Sequence, residues 1–193
     1  MYQIPKPGQA LHSKVLTVFA DGWELSGITT ANTGSPFTPG AGTTTGLDIT
    51  GSTNEGARVD VIGNPYVNIP TNPAWPGGHL AFNPAAFALP AVGTIGNAGG
   101  GAGVVYGPAW INFDAALTRS IPLGAERRQL RLRLDAFNVF NHVEFSGVST
   151  GFNFNTATTA TTGVVGPNTN ASIGQYTSDR GPRVLSLELR FQF

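Results

Sequence analysis

Cysteine is absent from the 193 residues, which excludes a disulfide framework, a thiol nucleophile and thiolate metal ligands. Charge is scarce as well. Asp, Glu, Lys and Arg make up 11% of the chain, less than half the share usual in a soluble globular domain. The 11 basic residues balance the 11 acidic ones, and no basic run is longer than Arg127-Arg128, so no nucleic acid is expected as a partner. No stretch of about 18 apolar residues occurs, which excludes a transmembrane helix. His12, His79 and His142 are the only histidines and lie far apart, without metal-site spacing, so neither a metal nor a cofactor is expected. The amino end, MYQIPKPGQALHSK, has two prolines and no apolar core and does not read as a signal peptide.

What is present favours β structure. Gly (26) and Pro (14) exceed average usage, and Thr and Asn are abundant. KVLTVF (14–19) is strand-like and is followed by ADG, a turn composition, and then by WELSGITTANTG (23–34), so a hairpin with strands over about 13–19 and 22–33 is expected there. Alternation returns in WINFDAALTRSI (110–121) and QLRLRLDA (129–136), with PLGAE as the turn between them, and again in LSLELRFQF (185–193), so strands are expected over about 110–120, 128–138 and 183–193. Between these segments lie two long stretches, 34–109 and 139–181, rich in Gly, Thr, Asn and Pro. The first is punctuated by Phe37, Tyr66, Trp75, Phe82 and Phe87. Loops of such length are either functional, with their own packing, or disordered linkers, and the placed aromatics favour the former.

The alternating strands put Leu, Phe and Ile on one face. The other face carries Arg131, Arg133, Asp135, Glu188 and Arg190. A soluble β-sandwich would bury the first set, whereas a transmembrane barrel would turn it to lipid and the charges to a wet lumen. Loop order separates the two readings. The connections run short, very long, short, very long, which is the alternation of periplasmic turns and extracellular loops in outer-membrane barrels. The expected fold is therefore all-β: an antiparallel up-and-down transmembrane β-barrel segment of about five strands with two long extracellular loops. A secreted or cell-surface β-sandwich that binds or adheres is the alternative. On the barrel assignment Phe19, Trp23 and Phe193 fall near the periplasmic rim, and Trp110, Phe137 and Phe140 near the outer one.

The segments GWELSGITTANTGSPFT, GPAWINFDAALTRSIPLG, LRLRLDAFNVFNHVEF and IGQYTSDRGPRVLSLELRFQF together resemble the carboxy-terminal end of TonB-dependent receptors, and within these the Oar-like group. The resemblance covers roughly 22–38 and 107–193, with NPAAFALPAVGTIGNAG as the main likeness between. It implies transport of a solute across the outer membrane, driven by the TonB energy-transducing protein. It also implies that Leu189, Phe191 and Phe193 are read by the barrel-assembly machinery. The signal peptide, plug domain and TonB box of that family have no counterpart here, and five strands cannot enclose a plug. The chain is accordingly expected to be a carboxy-terminal fragment in which Met1 is not the natural start.

No catalytic residue is expected. Gly147-Val-Ser-Thr-Gly151 fits the nucleophile-elbow pattern, but no helical period follows it. GNAGGGAGVVYGP lacks the Gly-Lys-Ser of a phosphate loop. The charged face is expected to hold cross-strand pairs such as Arg133 with Glu188.

Overall fold

The computed structural model describes residues 1–51, 56–99, 103–124, 128–157, 159–162 and 166–193. The chain divides into two compact units. One comprises Met1–Ala31, Ile111–Val143 and Gly181–Phe193, the other Asn32–Trp110 and Glu144–Arg180. Parts of two sequence features, the turn at 122–126 and the glycine-rich run at 96–108, lie outside the described residues.

Among the described residues the first unit is built on a five-stranded sheet. Its strands are β1 (Tyr2–Gln3), β2 (Trp23–Asn32), β3 (Trp110–Pro122), β4 (Gln129–Phe137) and β5 (Val184–Gln192), hydrogen-bonded in chain order. The pairs β1–β2, β3–β4 and β4–β5 run antiparallel. Neighbours in the sheet follow chain order, which is the up-and-down arrangement. The β4–β5 ladder is unbroken from Val184 opposite Phe137 to Gln192 opposite Gln129. Its register keeps every Leu of one strand on the same face as the Leu or Phe of the other, since a one-residue slip would reverse all of them.

The strand expected at 13–19 is a helix. Pro7–Ala10 forms α1 and Lys14–Ala20 forms α2. The place beside the start of β2 is taken instead by Tyr2 and Gln3, opposite Leu25 and Glu24. KVLTVFA then has no ladder partner, and its backbone groups are satisfied locally. The Thr17 amide and hydroxyl both donate to the Ser13 carbonyl, at 2.9 and 3.0 Å. The β propensity of Val and Phe is overridden where the start of the β2 edge is already taken by Tyr2 and Gln3. Asp21, buried at the end of this connection, accepts the Gly8 amide at 2.7 Å and ties α1 to the root of β2. Gly22, with φ +82°, makes the turn into the strand.

The second unit gathers the two long stretches, which are not irregular loops. Short strands pair antiparallel at Pro36–Phe37 with Val105–Tyr106, Asp60–Val61 with Phe87–Ala88, and Phe145–Val148 with Tyr176–Asp179. Gly40–Thr43 pairs with Gly151–Phe154 in parallel, which joins the first long stretch to the second. The unit has its own core around Val59, Phe82, Phe87, Val105, Phe152, Phe154 and Ile173. Phe82 is 0% exposed and meets Phe37 and Phe87 edge-on, with ring centroids at 6.1 and 5.5 Å, the geometry that ring quadrupoles prefer.

Candidate functional site

The sheet has two chemically distinct faces. In one set of rows Leu117 stands opposite Leu134 and Leu134 opposite Leu187, Leu132 opposite Leu189, and Leu130 opposite Phe191. This stripe is open to the surroundings, with Leu187 69% exposed. Phe191 and Phe193 continue it as a stacked pair at 6.1 Å.

The other rows carry the charges. Arg133 stands opposite Glu188 and Arg131 opposite Arg190. The ion pairs, however, form along strands rather than across them. Arg133 holds Asp135 at 2.8 Å, with its Nε donating to both carboxylate oxygens at 2.9 Å, and Arg190 approaches Glu188 at 3.7 Å. Two like charges in one row, Arg131 and Arg190, repel each other, and the Glu188 carboxylate beside Arg190 offsets part of that repulsion. The expected Arg133–Glu188 pair is thus a register neighbour, with Asp135 as the closer partner of Arg133. A recess of about 260 Å³ opens on this face, lined by Ser26, Ile28, Asp114, Arg133, Asp135 and Phe137. Asp114 is held by Asn112 at 2.8 Å and by the Asn138 amide at 3.0 Å.

A third arrangement was not anticipated from sequence. At one end of the sheet Arg119 departs from the apolar pattern: it stands opposite Leu132, on the Leu face. Its guanidinium donates to the Phe19 carbonyl at 3.0 Å and lies 5.7 Å from the centroid of the Trp23 ring. The Trp23 indole N–H donates to the same carbonyl at 3.0 Å. Trp23 and Phe19 were expected at a rim, and an Arg interrupting a Leu row was the available clue to their partner.

The second unit holds a cleft of about 430 Å³, within the size range of small-ligand sites. It is lined in part by Asn32, Thr33, Trp110, Ser146, Thr150 and Arg180. The Arg180 guanidinium lies over the Trp110 ring at 4.3 Å, a cation–π contact. Hydroxyl, amide and guanidinium groups with one indole make a lining able to hydrogen-bond and stack. Nearby in the same unit, Tyr176 stacks on Phe145 at 4.2 Å and meets the His79 ring at 5.6 Å. Burial pushes its phenol pKa up. In the run Gly147–Gly151 the final glycine opens the strand Gly151–Phe154, so the strand-to-helix turn of a nucleophile elbow is not made at Ser149. Among the described residues no cluster of His, Asp or Glu has metal-site geometry.

The sheet has one lipophilic and one charged face, the division that a membrane β-barrel wall requires. The chain matches the outer membrane beta barrel domain family over residues 1–186 and belongs to that family. Its location is the outer membrane. No curated protein and no solved structure gives a significant match.

Proposed function

We propose that this outer-membrane protein is a TonB-dependent receptor of the Oar-like kind. Its sheet forms part of the barrel wall and its second unit selects the solute on the extracellular side. The observation that carries the reading is the second unit itself: two long connections from the same end of the sheet fold around a shared aromatic core and present the Arg180–Trp110 cleft. A barrel that only anchors or stiffens a membrane has no need of such a structure. The Leu stripe faces lipid, and the charged rows face a wet lumen, where Arg131, Arg133, Asp135, Glu188 and Arg190 form a structural network rather than a reaction centre. No catalysis and no cofactor is involved. The partners are outer-membrane lipid, the TonB energy-transducing protein, and the barrel-assembly machinery acting on the face of Leu189, Phe191 and Phe193. Solute uptake tests this. Cells with and without the protein are compared for accumulation of labelled solutes too large for general porins, before and after a protonophore collapses the proton-motive force. The reading expects at least one solute whose accumulation requires both the protein and the proton-motive force. Accumulation that ignores either one contradicts it.

A further inference from the structure

We propose that α2 is a membrane-interface anchor: it lies on the lipid side of the barrel wall and sinks Val15 and Phe19 into the phospholipid leaflet at the short-connection end of the sheet. The face it occupies is fixed by Arg119. That residue shares a cross-strand row with Leu132 and Leu189, both on the lipophilic face, and its guanidinium grips the Phe19 carbonyl, one residue before the helix ends. A cation at a helix C-terminus is favourable there, so the contact docks the end of α2 on the outer face and not on the lumenal one.

The level is fixed by the strands. Trp23 opens β2, and Tyr2 stands opposite Leu25, so both aromatics lie at the end of the sheet where β3 finishes and β4 begins. Tyr2, Trp23 and Arg119 make the aromatic and cationic belt that membrane proteins place at headgroup depth. Val15 and Phe19, four residues apart, share one side of the helix and are 67% and 71% exposed. Lys14 and Thr17 point away from that side, as helical spacing requires. An apolar pair on one side and a lysine on the other is the division found in helices lying in an interface. The lipid-facing stripe of the wall is continuous with this surface through the row of Arg119, Leu132 and Leu189. A lipid leaflet is therefore the occupant that the uncovered side chains fit.

The test uses the full chain in vesicles of phosphatidylethanolamine and phosphatidylglycerol, with single nitroxide labels at 14, 15, 17, 19 and, as a reference for the wall, 187. Collision with oxygen reports lipid, and collision with a water-soluble nickel complex reports solvent. The expected oxygen-to-nickel ratio at 15 and 19 exceeds that at 14 and 17 and lies below that at 187, as for a helix half-sunk in an interface. Arg119→Leu, which removes the grip on Phe19, is expected to lower the ratio at 15 and 19 while leaving 187 unchanged. A lipid-like 187 with water-like 15 and 19 overturns the anchor and leaves the wall standing. A water-like 187 overturns both.

Discussion

Leu187 and Glu188 are adjacent in β5, and the proposed barrel wall turns them to different solvents. Leu187 lies in the middle of the Leu rows, opposite Leu134, so on the proposed assignment a charge there meets hydrocarbon. Leu187→Arg is expected to destabilise the membrane-inserted protein by about 2–4 kcal/mol, the range for a cation near the bilayer midplane. Asp135→Asn, on the opposite face, removes an ion pair whose side chains are 43% and 17% exposed. It is expected to cost less than about 1 kcal/mol. Urea unfolding in lipid vesicles measures both, and equal costs would contradict the assignment of faces. In the second unit, Tyr176 has its phenol pKa raised by burial. The folded form therefore holds the neutral phenol while the unfolded chain ionises near pH 10. The stability this gives is full below about pH 10 and is lost as the pH rises through the folded-state pKa. Tyr176→Phe should flatten that alkaline decline in a pH series of denaturation midpoints.

The elements show where pattern alone was a sufficient guide. β2, β3, β4 and β5 occupy the stretches of alternation, because a period of two has one physical use when it runs through Leu130–Leu134 or Leu185–Leu189. The segment at 13–19 had no such clarity. Val15 and Phe19 favour strand, and only the competing claim of Tyr2 and Gln3 on the edge of β2 turns Lys14–Ala20 into a helix. That competition is a tertiary fact. A two-residue strand carries no period, and Asp21, which fastens the connection, looks like any turn aspartate. Asp21→Ala leaves the buried Gly8 amide without its acceptor and is expected to cost about 1–3 kcal/mol, read as faster amide exchange at Gly8. The packed second unit was half-legible, since the placed aromatics argued for packing. The parallel pairing of Gly40–Thr43 with Gly151–Phe154 crosses more than a hundred residues of chain, and no local signal announces it. Phe82→Ala, at the centre of that core, is expected to destabilise the unit by about 3–5 kcal/mol, seen as a lower denaturation midpoint. The cleft residues Trp110 and Arg180 were visible only as a girdle aromatic and a turn cation, because their stacking depends on a contact 70 positions apart in sequence.

At the scale of the molecule, the scarcity of charge and the absence of a long apolar run have one explanation. A barrel crosses lipid with alternate residues, so half of each strand stays polar and no segment becomes uniformly apolar. Among the described residues β5 is paired on one side only, and β1 covers just the start of β2. Unpaired strand edges are not tolerated in hydrocarbon, so the proposed barrel requires these edges to be paired in the membrane. The account stands or falls on which face of the sheet meets lipid. The chain has no native cysteine, so single cysteines can be placed at each position from 185 to 190 and treated with a maleimide in isolated outer membranes. A thiol in hydrocarbon does not ionise and does not react. The account predicts reaction at 186, 188 and 190 and protection at 185, 187 and 189. Uniform reactivity, or the reverse alternation, would contradict it.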